Sequence, residues 1–408
     1  MRSLRVSVGH LASYSISLYL PAILNILSTP IIIKLFGLST WNQIVVSQSV
    51  GSILAVIIQC GWNIKGPTIA SLTDRKNLRD ILIRSFVTRV AAFMIVCPIG
   101  VFILTKIVSL NPISFLAYFS TISTSLLSTW YYTSQLLSKT LFIRDTFPRN
   151  VCVLLGLTLC YLLKSVEIYL LGILFGIILS LAFNIEKKDI IQYKRMIAYT
   201  KPRIVFNEFN IQKDSIISSL TITSYTYLPT IIFQIYNPVA APIYNLLLRI
   251  IRMFVLIFLP FNQLFQGFIG NSKSKLKTLN QSFFSACLLS LGISIFALFV
   301  FDFSIYFFSG LEYSFDCATK AGISLIIFSI CMSQYIGITE LTALKNFRGL
   351  YISTTAASVV GLPSLIFGAV NFRINTIIWI LFFIEITVLL IQTKFSFQSR
   401  KIEFGRIR

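Results

Sequence analysis

Two arginines, Arg249 and Arg252, stand inside an apolar run that reads APIYNLLLRIIRMFVLIFLP over residues 241–260. A run of this kind crosses a hydrocarbon layer as a helix. Counted from Pro238 at about 1.5 Å per residue, Arg249 lies about 16 Å deep and Arg252 about 21 Å deep. Their i, i+3 spacing puts both guanidinium groups on one face. A charge near the membrane midplane is costly, so it faces a partner or a water-filled cavity. Cavity-facing arginines favour an anionic substrate. Snorkelling to the interface is open to Arg252 and is a poor account of Arg249.

Other charges fall inside apolar runs. Arg89 enters the run 83–105 to a depth of about 10 Å, where snorkelling and a functional role compete. Glu340 and Glu385 are embedded carboxylates, able to pair with an arginine or to carry a coupling ion. Asp214 is a third carboxylate at a membrane boundary, where an ion pair with neighbouring Lys213 is the plain reading. The aromatic run Trp130, Tyr131, Tyr132 suits an interfacial belt better than a sugar-stacking surface. There is one histidine, His10, and the seven cysteines form no CxxC pair, so neither a metal site nor a cofactor is expected.

These side chains need a membrane scaffold to hold them. The chain is 56% hydrophobic and 12% charged, with a mean hydropathy of +0.82. A soluble domain carries about 25% charged residues. Twelve spans fit, near 13–35, 41–63, 83–105, 112–136, 147–164, 167–185, 211–234, 239–268, 281–302, 318–342, 349–370 and 374–393. Arg2 and Arg5 precede a first apolar stretch too long for a signal peptide, which reads as a retained span. With the N-terminus inside, 25 of the 35 basic residues fall on the cytoplasmic side and five on the other. That asymmetry sets a multi-pass orientation with both termini cytoplasmic. The net charge of +21 is thereby topological and implies no nucleic-acid partner. The longest connection, 186–210, is basic and reads as a cytoplasmic linker between two halves.

The halves carry an echo. Residues 19–30 read YLPAILNILSTP and residues 227–238 read YLPTIIFQIYNP, 208 positions later. Each motif opens a set of six spans, giving halves 1–198 and 199–408. Six is even, so both halves enter the membrane in the same direction, as a parallel repeat with a pseudo-twofold axis along the membrane normal. Such repeats are a transporter signature, with the substrate at the interface of the halves. Pro21 and Pro229 then become helix bends facing a cavity, whether fixed or hinging.

The stretches LYLPAILNILSTPIIIKLFG (18–37), QCGWNIKGPTIAS (59–71) and TWYYTSQLLSKTLFIRDTFPRN (129–150) resemble Wzx-type O-antigen or polysaccharide repeat-unit flippases. These belong to the multidrug/oligosaccharidyl-lipid/polysaccharide exporter superfamily. The resemblance implies an all-α integral membrane fold, MATE-like, with two six-helix bundles around a cationic cavity. It implies a flippase, not an enzyme, moving an undecaprenyl-diphosphate-linked oligosaccharide from the cytoplasmic to the periplasmic leaflet of a bacterial inner membrane. Arg249, Arg252 and Arg89 would neutralise the diphosphate. Glu340, Glu385 and Asp214 would be the coupling-ion candidates. A polysaccharide polymerase and a chain-length regulator would be protein partners. A multidrug cation antiporter of the same superfamily is the alternative, and a membrane polysaccharide polymerase a more distant one.

Overall fold

Where lipid replaces water, a backbone must pair its polar groups within each segment, and helices do so. The computed structural model is helical accordingly, and among the described residues no strand occurs. It describes residues 2–63, 66, 69–70, 77–135, 137–184, 202–271, 275–310, 312, 315–344, 346–371 and 374–405, with most side chains from Tyr19 onward. The first part of the expected linker 186–210 lies outside these residues, and from Pro202 the chain is already helical. Two compact units form, Met1–Tyr227 and Leu228–Arg408.

The first unit contains α1 (Arg2–Gln59), α2 (Leu78–Ile107), α3 (Pro112–Ser123), α4 (Thr129–Ser134), α5 (Ser138–Leu141), α6 (Phe147–Leu163), α7 (Val166–Asn184) and most of α8 (Pro202–Tyr236). α1 packs on α2 and α3, α3 on α7, and α6 closely on α7. Inside α1 the backbone leaves helical geometry at Gly37, with φ 86° and ψ 161°. A side chain disfavours that conformation, so glycine marks the join between the two expected spans 13–35 and 41–63. α3 begins at a capping box. Asn111 accepts from the Ser114 N–H at 2.8 Å, and its amide donates to Gln43 of α1 at 3.2 Å.

The expected span 112–136 is not one helix. After α3 it tightens into a 3-10 turn at Thr124–Leu126, then extends at Leu127 before α4 begins. A π-helical turn at Phe142–Thr146 joins α5 to α6. A turn of this kind widens the helix by one residue and is frequent at functional sites.

The second unit contains α9 (Ala241–Asn271), α10 (Lys275–Ser309), α11 (Cys317–Gln334), a π-helical segment Tyr335–Leu341, α12 (Phe347–Val370) and α13 (Ile374–Gly405). α13 packs on α11 and α12, and α10 on α9 and α11. Asn237 accepts from the Ala240 N–H at 3.1 Å at the start of α9, and its amide reaches the Ala369 carbonyl at 3.2 Å. Ser294 and Ser324 clasp α10 to α11, their hydroxyls 2.8 Å apart.

Ten helices among the described residues are long and apolar enough to cross a membrane, which makes this a multi-pass membrane protein. The count differs from the expected twelve at two places. The helix through Gly37 holds two of the expected spans, and the broken span 112–136 falls short of a continuous crossing. Helical structure continues through Pro21 and Pro30 in α1 and through Pro229 in α8. Each proline lacks the N–H that an interior helical residue donates four residues back, which favours a bend at that point.

Candidate functional site

Arg89 lies on α2 with no exposed surface. Its Nε donates to the Ser85 carbonyl at 3.1 Å, and Nη1 to the carbonyls of Ser125 and Leu127 at 3.2 and 2.7 Å. Nη2 donates to the hydroxyls of Ser85 and Ser128, at 3.3 and 2.6 Å. Ser125 and Leu127 belong to the break between α3 and α4, where carbonyls lose their helical partners. Arg89 supplies the missing donors, and so the chain can break there without leaving backbone groups unpaired in an apolar setting. In this conformation its guanidinium is turned to protein and not to an open cavity.

The aromatic run beside it is also interior. Trp130 and Tyr132 are buried, and Trp130 stacks on Trp62 with ring centroids 5.3 Å apart. The expectation of an interfacial belt fails because the break after α3 turns these rings inward, against the end of α1.

Asp145 lies on the π turn of Phe142–Thr146 and is buried. One carboxylate oxygen takes Arg149 at 2.6 Å, and the other accepts from Ser180 of α7 at 2.5 Å. Asn184 donates to the Ser180 carbonyl at 2.7 Å and accepts from the Tyr132 hydroxyl. This network ties α4, α6 and α7 together. Sequence reasoning passed over Asp145 because it sits among basic loop residues. The i, i+4 spacing to Arg149 was the available signal.

In the second unit, Glu340 occupies the other π segment, with its side chain 1% exposed. Its Oε1 accepts from Arg400 Nε and from the Ser396 hydroxyl. Arg400 continues to Asn280 at 2.8 Å. Gln392, Ser396 and Arg400 follow at i, i+4 on one face of α13, the last two beyond the predicted end of that span at residue 393. Glu340 Oε2 and Gln392 Oε1 are both buried without a hydrogen-bond partner.

Arg249 and Arg252 lie on α9. Ile250, Ile251, Phe254, Val255 and Phe258 are buried, whereas Arg252 is exposed and Arg249 half-buried. The charges of Arg252 and of Glu385, on α13, both reach the hydroxyl of Tyr244. Tyr244 is 1% exposed and its ring stacks on Phe233 at 3.8 Å between centroids. Its hydroxyl has no hydrogen-bond partner. Arg252 and Glu385 thus both act electrostatically on Tyr244, while Glu340 pairs separately with Arg400. The Asp214 side chain lies outside the described residues; Lys213 next to it is exposed. Among the described residues no cluster of metal-binding side chains occurs.

No protein-family model and no curated relative matches the sequence. Solved structures share the fold. A lipid II flippase MurJ in an inward closed conformation superposes with a TM-score of 0.69 at 15% identity, covering 94% of this chain and 87% of that one. An inward-facing multidrug resistance MATE family transporter of the MOP superfamily gives 0.60 at 11% identity, covering 93% and 97%. A MOP superfamily transporter from Pyrococcus furiosus gives 0.56 at 10% identity, covering 97% and 94%. The chain has the MATE/MurJ-like transporter fold.

Proposed function

We propose that this protein is a flippase for a lipid-linked oligosaccharide, moving an undecaprenyl-diphosphate-linked repeat unit from the cytoplasmic to the periplasmic leaflet for O-antigen or related polysaccharide assembly. It makes and breaks no covalent bond. Its place is a bacterial inner membrane with both termini cytoplasmic, and its halves are 1–198 and 199–408. A polysaccharide polymerase would receive the flipped unit, and a chain-length regulator would act with it.

The observation that carries this reading is the group on α9: two arginines spaced i, i+3 on a membrane-spanning helix, with the buried, partnerless Tyr244 hydroxyl earlier on the same helix. A buried polar atom calls for a partner. A phosphate or sugar oxygen supplies an acceptor for the Tyr244 O–H, and a diphosphate supplies oxygens for both guanidinium groups through charge-assisted bonds. Arg89 serves the same path by holding the break in span 112–136. Pro21 and Pro229 bend the spans beside which the lipid tail passes. The transporter neighbours support the class of activity, and the MurJ neighbour supports a lipid-linked substrate.

An organic-cation antiporter would want carboxylates left uncompensated in its cavity. Glu340 instead has Arg400 against it, and Glu385 acts on the same Tyr244 as Arg252 does. These two carboxylates and Asp214 remain coupling-ion candidates. The test is Arg249→Ala and Arg252→Ala in cells that depend on this protein for surface polysaccharide. Loss of polysaccharide at normal protein levels supports the reading, and wild-type polysaccharide in both variants contradicts it.

A further inference from the structure

α1 ends at Gln59, short of the expected span end at residue 63, and the next two residues take left-handed backbone conformations, Cys60 at φ 49° and Gly61 at φ 72°. Two successive residues of this kind stop a helix and leave its last carbonyls facing away from any helical donor. A donor comes from a helix far along the chain. Gln212, near the start of α8, is 1% exposed. With its amide nitrogen turned toward α1, it donates to the Cys60 carbonyl at 2.8 Å and to the Gly61 carbonyl at 3.2 Å.

The approach is close enough to require glycine. A Cβ on Gly61 would stand 3.1 Å from Cβ of Ser215 and 3.2 Å from Cβ of Gln212. The surroundings are packed and charged. Trp62 stacks on Trp130 next in the chain, and the charge of Arg89 reaches the Cys60 thiol. All of these residues lie within the first unit. The basic loops mark this end of the spans as cytoplasmic.

We infer that Gln212 is a cytoplasmic latch: its amide fastens the first turns of α8 to the end of α1, and release of that bond opens the cytoplasmic side of the transport path. This rests on the flippase reading for its purpose. The physical chemistry suits a reversible fastening. A neutral amide bonding two carbonyls is worth about 0.5–1.5 kcal/mol per bond, enough to bias two states and weak enough to break thermally. Gln212 acts as a positioning residue; it need not touch the substrate.

Cys60 is a native reporter, because it is 0% exposed while the latch is fastened. Wild-type protein and Gln212→Ala are exposed to a membrane-impermeant maleimide in inverted membrane vesicles, and labelling of each cysteine is read by peptide mass spectrometry. The expected result is slow labelling of Cys60 in the wild type and labelling about tenfold faster in the variant, the factor given by losing about 1.4 kcal/mol. Cys160, also 0% exposed, reports general loosening of the same unit and keeps its rate. Equal Cys60 rates in the two proteins overturn the latch, as does a parallel rise at Cys160. The labelling arm does not depend on what is transported. If it succeeds while cells lacking the protein export normally, the flippase reading fails and the latch stands.

Discussion

Arg89 Nη1 donates to the Leu127 carbonyl at 2.7 Å, and this bond joins a buried charge to the break where the segment after α3 loses its helical ladder. The two features depend on each other. The guanidinium would be prohibitively desolvated without oxygen partners, and the broken segment would hold orphaned carbonyls without the guanidinium.

That dependence predicts a large stability effect. Arg89→Ala should lower folding stability by about 2–6 kcal/mol, because it orphans the Ser125 and Leu127 carbonyls together at about 1–3 kcal/mol each. Arg89→Lys should recover only part of the loss, since an ammonium cannot span the acceptors that the planar guanidinium reaches. Thermal unfolding of purified protein in detergent distinguishes the three forms. Equal melting of wild type and Arg89→Ala would refute the clasp.

Glu340 and Arg400 should be energetically coupled. The side chains are 1% and 15% exposed, so screening by solvent is slight on the carboxylate side. Glu340→Gln and Arg400→Gln should each destabilise, and the double variant should cost less than their sum by about 1–3 kcal/mol. A double-mutant cycle by thermal unfolding measures the difference, and additive effects would show that the pair contributes nothing jointly.

Tyr244→Phe should separate transport from stability. The hydroxyl has no partner within the protein, so its removal should leave the melting temperature unchanged or slightly raised. The stack on Phe233 persists in the variant. Polysaccharide export should nevertheless fall if that hydroxyl meets the substrate. A variant that exports at the wild-type rate would remove Tyr244 from the site.

Gly100 should not tolerate a side chain. A Cβ there would stand 2.5 Å from Cζ of Tyr118 and 2.6 Å from Cδ1 of Leu54, both held in the first unit. Tyr118 is pinned by its bond to the Cys97 carbonyl at 2.9 Å. Gly100→Ala should cost about 1–3 kcal/mol through overpacking. Combining it with Tyr118→Leu, which removes the ring, should return part of that loss in the same unfolding measurement.

The helical membrane architecture was legible because hydropathy and charge asymmetry act along the whole chain and are read residue by residue. The break after α3 was not. Residues 112–136 carry no charge to mark a boundary, and the break among them is satisfied by a tertiary partner on α2 that no local pattern shows. Trp130 and Tyr132 were placed at the membrane interface for the same reason: their burial follows from that break. Arg249 and Arg252 stood out because charge in an apolar run is a local anomaly. Tyr244 did not, since a tyrosine in such a run is ordinary until its hydroxyl is seen to lack a partner. Gln212 was hidden likewise, its role being set by two left-handed residues at the end of another helix.

The central claim concerns which molecule crosses the membrane. The most direct measurement depletes the protein in cells that hold no other flippase for the same unit, then determines the leaflet in which the undecaprenyl-diphosphate-linked oligosaccharide resides. The account predicts that the lipid-linked unit accumulates, out of reach of membrane-impermeant reagents added from the periplasmic side. A lipid-linked unit that still reaches the periplasmic leaflet at the normal rate would contradict it.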